Sequence, residues 1–257
     1  MSTFAADSLH LLVRHIRATL RLPIWIAVSL VQPVIWLALF GQLFRRVVEI
    51  PGFGSGSYIE FLTPGVVVMT ALFGSAWSGI GIVEDINNGV MDRLLATPVR
   101  RGALITARVL HAALTVAVQT VVVLALGIVL GAGLPGGGLG FVAILIPAVL
   151  IAAAFSALSN GVALVARREE TLIAVINFFG LPLTFLSASF MSHELMPDWI
   201  RTIANGNPVQ WAVIAAREAM LGRDWMVVTQ MCGLLAVFAA IACVLATLAF
   251  RVYRRVT

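Results

Sequence analysis

The sequence predicts an all-α polytopic membrane protein. Of its 257 residues, 60% are hydrophobic and only 11% are charged, whereas soluble domains carry about 25% charged residues. The mean hydropathy is +1.01, and apolar residues come in runs longer than about 18, enough for a helix to cross a bilayer. These runs predict one transmembrane domain, residues 1–257, with six helices at 23–44, 58–82, 104–131, 139–166, 171–192 and 227–250.

Residues 1–22 precede the first predicted span and form an amphipathic pattern. One helical face carries His10, Arg14, Arg17 and Arg21, and the opposite face carries Leu9, Leu12, Val13, Ile16 and Leu20. A basic amphipathic helix of this kind lies in the membrane interface near anionic headgroups. The segment does not fit a cleavable signal peptide, since no Ala-x-Ala site follows a short apolar core.

The placement of arginine predicts the orientation of the spans. With an even number of spans and the N-terminus inside, twelve of the seventeen arginines face the cytoplasm. The five on the outer side are Arg45, Arg46, Arg201, Arg217 and Arg223. Both termini are therefore expected in the cytoplasm.

Residues 84–101, "EDINNGVMDRLLATPVRR", interrupt the apolar chain between the second and third predicted spans. Gly89 and the asparagines before it favour a helix start, and Pro98 enforces a stop. A helix of two or three turns is not stable alone in water. Its apolar patch is formed by Val90, Met91, Leu94 and Leu95. This patch predicts docking into a groove on a partner protein; the alternative is a solvated loop.

The longest inter-span segment, residues 193–226, is expected outside. Asn207 is a good N-cap, Pro208 suits the first helical turn, and Gly222 can close the helix. A helix from Pro208 to Leu221 is about 21 Å long, too short to cross. The segment therefore predicts two re-entrant half-helices, with an ordinary surface loop as the alternative. The residues assigned to it are Pro197, Trp199, Asn207, Pro208 and Arg217.

The chain lacks residues that several classes of protein function require. The chain has no lysine, so it cannot form a P-loop or a Schiff base. Its four histidines and two cysteines show no metal-ligand spacing. A membrane enzyme would need a catalytic constellation, which is absent here. An ion-coupled carrier usually has an ionisable residue near the midplane of a span, and none lies near the midplane of any of the six predicted spans.

The 84–101 segment resembles the acidic, Gly-containing, Arg-Leu-Leu-Ala-Thr-Pro-Val motif of bacterial ABC-exporter permeases of the second exporter type, especially the daunorubicin-resistance-like branch. "YIEFLTPG" (58–65) is similar to the opening of that family's second span, and "MPDWIRTIANGNPVQWAVIAAREAMLG" (196–222) is similar to its external segment. The resemblance covers essentially the whole chain. Val90 departs from the motif, since many relatives carry Thr or an aromatic residue there.

This resemblance implies a permease in the bacterial cell membrane that is not itself an enzyme. It implies a homodimer with two separate ATP-binding subunits, which would hold ATP and Mg²⁺; no cofactor, metal or nucleic acid is expected on this chain. The implied function is export of an amphiphilic drug or lipid-like substrate by alternating access. The alternatives are export of a lipid-linked glycan or glycolipid and, less favoured, ion-coupled secondary transport.

The resemblance also makes residues 84–101 a coupling helix for the ATP-binding subunit. Leu94 and Leu95 are the expected buried anchors, with Asp92, Arg93, Arg100 and Arg101 around them. The full set of predicted coupling residues is Glu84, Asp85, Gly89, Asp92, Arg93, Leu94, Leu95, Pro98, Arg100 and Arg101. We expect Glu84 and Asp85 to pair with Arg167 or Arg168.

Polar and aromatic residues inside the predicted spans are candidates for a substrate pathway, although each could serve ordinary helix packing. Aromatic faces with a few amides suit an amphiphile. The candidates are Gln32, Trp36, Glu60, Phe73, Trp77, Gln119, Asn160, Asn177, Phe178 and Phe185. Glu60 could instead form an interfacial salt bridge with Arg45 or Arg46.

Overall fold

Helices account for almost all of the residues that the structure, a computed structural model, describes: 4–21, 23–49, 57–96 and 101–253. None of these residues lies in a β-strand. The first elements are α1 (Phe4–Leu20), α2 (Pro23–Ile35), a π-helical turn (Trp36–Phe40), α3 (Gly41–Leu43) and a 3₁₀ turn (Arg45–Glu49). Next come α4 (Tyr58–Ala76), a 3₁₀ turn (Trp77–Gly79), α5 (Ile80–Asn87) and α6 (Val90–Leu95). The remaining elements are α7 (Arg101–Val129), α8 (Gly137–Ala166), α9 (Glu169–Phe185), a 3₁₀ turn (His193–Leu195), α10 (Asp198–Asn205), α11 (Pro208–Leu221) and α12 (Trp225–Tyr253).

Four helical rods among the described residues are long and apolar enough to cross a membrane. They are Tyr58–Asn87, Gly102–Val129, Gly137–Ala166 and Trp225–Phe250. Each coincides with a predicted span, although the first runs on to Asn87 rather than ending near residue 82. The prediction of an all-helical chain is thus confirmed for the described residues.

The other two predicted spans fold as shorter helices. Residues 23–44 are divided among α2, the π-helical turn and α3, and their apolar helical stretch is Val28–Leu43. The predicted span at 171–192 is observed as α9, which ends at Phe185. At this end the Asn207 side-chain amide donates hydrogen bonds to the backbone carbonyls of Leu183 (2.6 Å) and Leu186 (3.1 Å), which satisfies them outside the helix. The count of six spans stays a prediction.

Helix α8 lies at the centre and contacts α4, α7, α11 and α12. Small residues on α8 allow these close contacts, as in other membrane helix pairs. A Cβ at Gly140 would approach the Ala219 carbonyl oxygen to 2.5 Å, and one at Gly161 would lie 3.2 Å from the Ala246 Cα. The bundle therefore depends on backbone-to-backbone packing around α8.

The buried apolar side chains form two clusters at opposite ends of the bundle. One includes Phe61, Ile144 and Val213 and takes in α11. The other includes Leu11 and Met91 and takes in α1 and α6. The short helices at the two ends are thus packed into the core of the chain.

Helix α1 packs along the first half of α7. The rings of His15 and His111 are 5.8 Å apart, and the Thr19 hydroxyl lies 2.8 Å from His111 Nε2. On the predicted apolar face, Leu9 and Leu20 are 59% and 67% exposed. The helix is observed where the amphipathic pattern places it, and its position in a membrane interface stays a prediction.

Candidate functional site

The rod Tyr58–Asn87 changes conformation at the 3₁₀ turn Trp77–Gly79, against a polar stretch of α8. The Gly79 N–H donates to Ser159 Oγ (3.0 Å), and the Ser159 hydroxyl donates to the Ala76 carbonyl. A Cβ at Gly79 would lie 2.6 Å from the Ser159 carbonyl oxygen, so glycine is required for this contact. Because α8 supplies hydrogen bonds where the regular ladder breaks, the rod can bend here without leaving these groups unpaired.

The pathway candidate Asn160 belongs to the same polar stretch. Its amide donates to the Ser156 carbonyl (2.7 Å) and to the Ser78 hydroxyl (3.3 Å), and the Ser78 and Ser156 hydroxyls are 2.9 Å apart. Asn160 is completely buried. Its observed role is therefore to join α8 to the 3₁₀ turn.

Helix α6 is separated from α5 by a left-handed residue, Gly89, whose φ is +66°. Glycine adopts this conformation without the steric penalty of a side chain. Asp92 and Arg93 are exposed, whereas Met91 is only 2% exposed. The helix thus turns one charged face away from the bundle.

The apolar side of α6 meets this chain's own core. Met91 is a member of the buried cluster with α1, and Leu94 packs against that cluster as a partly buried residue. The prediction that the whole apolar patch faces a partner is therefore wrong for Met91, because the adjacent spans already bury it. Pro98, Arg100 and the side chains of Leu95 and Arg101 lie outside the described residues.

Asp85, at the end of α5, accepts hydrogen bonds from two arginines of different helices. Arg108 of α7 donates to one carboxylate oxygen, and Arg14 of α1 donates to the other at 3.3 Å. Arg108 also donates to the Gly81 carbonyl (3.0 Å). We call Asp85, Arg14 and Arg108 the Asp85 cluster. The Arg108 and Asp85 side chains are only 11% and 16% exposed, so the cluster ties three elements together next to α6.

The expected pairing of Asp85 with Arg167 or Arg168 is wrong. Arg108 was not singled out as a site residue from the sequence, although an arginine at the start of an apolar run predicts a buried acidic partner. Asp85 is the acid that α5 presents to it. Glu84, the other predicted acid, is exposed.

The Asp85 cluster also influences a histidine of α1. Burial, with a smaller contribution from the positive charge of Arg108, lowers the pKa of His15 to about 3. His15 is therefore neutral at physiological pH. A neutral imidazole can lie beside the arginines without adding a third positive charge.

Most of the pathway candidates line two neighbouring cavities in the bundle. The large cavity, of about 520 Å³, lies between α2, α4 and α7, and the candidates lining it are Gln32, Phe73, Trp77 and Gln119. The small cavity, of about 180 Å³, also reaches α9, and the candidates lining it are Gln32, Trp36, Phe73, Trp77, Asn177 and Phe185. Gln32, Phe73 and Trp77 belong to both walls, so the two cavities adjoin.

Besides Asn160, two pathway candidates lie outside the two cavities. Phe178 is 73% exposed and lines neither cavity. Glu60 lines neither cavity, and it forms no ion pair with Arg45 or Arg46, all three of which the structure describes. The sequence showed that these residues are polar or aromatic, but it could not show which way they face.

The opposite end of the bundle is closed by α10 and α11. The helix predicted over Pro208–Leu221 is confirmed: the Asn207 side chain accepts from the Val209 N–H (2.9 Å), Pro208 is in the first turn, and Gly222 adopts φ +65°. Pro197 directly precedes α10, and Trp199 on that helix is 62% exposed. Re-entry of this segment into the membrane stays a prediction.

Arg217 of α11 is buried against α4 and the loop after α9. It donates to the carbonyls of Ala188 (2.7 Å) and Phe61 (3.3 Å), and its guanidinium carbon lies 3.8 Å from the Phe61 ring centroid. We call Arg217, Phe61 and Ala188 the Arg217 cluster. Burial lowers the pKa of Arg217 to about 10, so the group stays charged at neutral pH.

Among the described residues, His, Cys, Asp and Glu do not gather in groups of three that could hold a metal ion. The candidate functional features of the described chain are the charged face of α6, the Asp85 cluster and the two cavities.

Comparisons with known proteins identify relatives along almost the whole chain. A family model described as "ABC-2 type transporter" matches residues 8–221. The daunorubicin resistance ABC transporter permease protein DrrB1 of Streptomyces coeruleorubidus is 28% identical over 98% of this chain and 88% of its own length. The putative transport permease ycf38 of Cyanophora paradoxa is 29% identical over 88% of this chain and 78% of its own length. The probable doxorubicin resistance ABC transporter permease protein DrrC of Mycobacterium tuberculosis is 25% identical over 88% of this chain and 80% of its own length.

Proposed function

Because the chain belongs to the ABC-2 type transporter family, we propose that it is the permease of an ATP-driven exporter in the bacterial cell membrane. It carries several apolar helices long enough to cross a membrane, and its family implies a partner ATP-binding subunit. In the proposed assembly two copies of this chain join two such subunits, which bind ATP and Mg²⁺. The chain crosses the membrane six times, with both termini in the cytoplasm.

The observation that carries this proposal is the charged face of α6. Six residues form a helix between two long apolar rods, set off by Gly89, and Asp92 and Arg93 point away from the bundle. A helix this short is held by packing rather than by its own propensity. Met91 and Leu94 provide that packing on one side, and the charged side is the surface that the ATP-binding subunit would contact.

The Asp85 cluster supports a path by which a displacement of α6 could reach the transmembrane helices. Asp85 lies four residues before Gly89 and is bonded to helices α1 and α7. A displacement of α6 would therefore move α5, α1 and the start of α7 together. The 3₁₀ turn Trp77–Gly79 is the place where the rod can bend, so the motion reaches the cavity walls above it.

An amphiphilic drug or lipid-like molecule is the proposed cargo. Two of the relatives are named for resistance to daunorubicin and doxorubicin. The two cavities are lined by aromatic rings and amides, which suit an apolar molecule with a few polar groups. Alternating access would carry it outward.

Charge reversal of Arg93 tests the docking surface. Arg93 is exposed and outside this chain's packing, whereas Leu94→Asp would also disturb the core around Met91. We expect Arg93→Glu to reduce the ATP-binding subunit that co-purifies with the tagged chain by roughly tenfold, since rim charges set partner binding.

Arg17→Glu is the matched control, because Arg17 is also exposed but lies on α1. It should retain the ATP-binding subunit. Undiminished co-purification with Arg93→Glu would exclude α6 as the coupling helix.

A further inference from the structure

We propose that the large cavity is the loading site of the exporter and that its substrate is an uncharged amphiphile bearing a hydroxyl or N–H group. This inference rests on the proposed export function and specifies its cargo. It depends on three features of the cavity: the wall residues that the structure describes carry no charge, one buried amide is only half satisfied, and the 3₁₀ turn forms part of the wall.

The size and composition of the large cavity suit a drug-sized molecule. Its volume of about 520 Å³ falls within the usual range for small-molecule sites. Phe73 and Trp77 offer aromatic surface on one side, and Val28 and Pro33 offer aliphatic surface on the other. Such walls bind a flat apolar body mainly by burial of its surface.

None of the described residues that line the two cavities is charged. The charges of the Asp85 cluster are directed to each other rather than to the cavity. An ion without a partner is expensive to bury in an apolar site. A cationic or anionic cargo would therefore lose its hydration without gaining a counter-charge, and a neutral molecule would not.

Gln119 supplies an unfilled hydrogen-bonding group. The residue is 4% exposed, and its Nε2 donates to Ser29 Oγ (2.8 Å). Its Oε1 is buried and has no hydrogen-bond partner in the described part of the chain. A buried acceptor without a hydrogen bond destabilises the site, because it has lost its bond to water. A ligand hydroxyl or N–H that reached this oxygen would remove that penalty, and this is why a donor group is expected on the substrate.

Gln32 provides a second amide at the junction of the two cavities. It lines both walls, together with Met69, Phe73 and Trp77. A molecule moving from the large to the small cavity would therefore pass Gln32 and Trp77. Trp77 is also the first residue of the 3₁₀ turn. Bending of the rod at this turn would displace the indole between the two cavities, which links loading to the motion of α6.

Three pyrene probes separate these requirements because they share one aromatic body. Pyrene has no polar group, 1-pyrenemethanol adds a neutral hydroxyl, and 1-pyrenemethylammonium adds a cation. Binding is measured as energy transfer from protein tryptophan to pyrene, with the full chain in phosphatidylcholine nanodiscs and empty nanodiscs as the blank. We expect 1-pyrenemethanol to bind roughly fivefold more tightly than pyrene, since one hydrogen bond contributes about 1 kcal/mol, and the ammonium probe to bind most weakly.

Gln119→Leu should remove the advantage of the hydroxyl. We expect it to weaken binding of 1-pyrenemethanol by roughly fivefold and to leave pyrene binding unchanged. Retained pyrene binding also shows that the cavity is still folded. Gln230→Leu is the matched control, because Gln230 is exposed on α12 and lines neither cavity; it should alter neither probe.

The inference is overturned if the ammonium probe binds most tightly, or if Gln119→Leu binds 1-pyrenemethanol as the wild type does. The export function is tested separately, by ATP-dependent movement of 1-pyrenemethanol in proteoliposomes that contain the ATP-binding subunit. Binding as expected without such movement would reject export while leaving the site assignment intact. Movement that favours the ammonium probe would reject the uncharged cargo and retain export.

Discussion

The two ends of the bundle both bury an arginine, but they neutralise it in different ways. Arg108 in the Asp85 cluster faces a carboxylate and shares it with Arg14 of α1. Arg217 has no carboxylate in its cluster; it donates to two backbone carbonyls and lies over the Phe61 ring. Arg108 is therefore bonded to α5 through a carboxylate that it shares with α1, besides its bond to the Gly81 carbonyl, whereas the partners of Arg217 are backbone groups and a ring.

This difference indicates which end of the molecule can move. Ion pairs between side chains can exchange partners when helices shift, and Arg14 at one side of the cluster is 46% exposed. Backbone carbonyls can follow such a shift only if the chain itself moves. We infer that the Arg217 cluster is a fixed point and that the Asp85 cluster is an adjustable joint beside α6. Three substitutions test this contrast.

Removal of the Arg217 side chain should have the largest effect on stability. Arg217→Ala deletes two charge-assisted hydrogen bonds and the ring contact, and it leaves the Ala188 and Phe61 carbonyls without this donor. We expect the free energy of unfolding to fall by about 3 kcal/mol, measured by thermal unfolding of the purified chain. Arg223→Ala at the same end, where the residue is exposed, should change it little. Equal losses in the two variants would show that Arg217 does not fix this end.

Neutralisation of Asp85 should lower transport more than stability. Asp85→Asn leaves Arg108 buried beside an uncharged amide, which costs about 2 kcal/mol at this partly exposed site. If the cluster transmits motion, ATP-driven transport should fall by roughly tenfold or more while the ATP-binding subunit still co-purifies. The adjacent Glu84→Gln is the control, since Glu84 is exposed. Transport by Asp85→Asn at the wild-type rate would reject the joint.

The smallest expected effect is a pH dependence of stability that arises from the neutral His15, beside the Asp85 cluster. The folded pKa of about 3 lies below the ordinary value of 6.5. The neutral His15 therefore makes its full contribution to the free energy of unfolding above pH 6.5. This contribution is lost as the pH falls below 6.5, because the unfolded chain then binds a proton that the folded chain does not. When the pH is lowered from 7.5 to 5.5, the free energy of unfolding should fall less in His15→Gln than in the wild type. The expected difference is about 1 kcal/mol, which allows for partial solvent screening.

His10→Gln is the control for this pH experiment, because His10 is exposed on the same helix. Thermal unfolding at several pH values gives the comparison. If His10→Gln and His15→Gln both kept the wild-type pH dependence, α1 would not be held to α7 through a neutral His15.

Features that depend on neighbouring residues could be predicted from the sequence. The bounds of α11 follow from Asn207, Pro208 and Gly222, whose backbone preferences act within a few residues. The break before α6 follows from Gly89 for the same reason. The long apolar rods follow from runs of apolar residues, and the resemblance of residues 84–101 indicated the family.

Only the tertiary structure decided the partners of the polar groups. Asp85 meets Arg14 and Arg108 rather than Arg167, Gln119 meets Ser29 from 90 positions away, and Met91 is taken up by the core of its own chain. It also decided that Gln32, Trp77 and Gln119 share a cavity while Phe178 does not. Helix ends and apolar length are local properties of the chain. Which faces of the helices meet depends on how all of them pack around α8, and no single segment of the sequence contains that information.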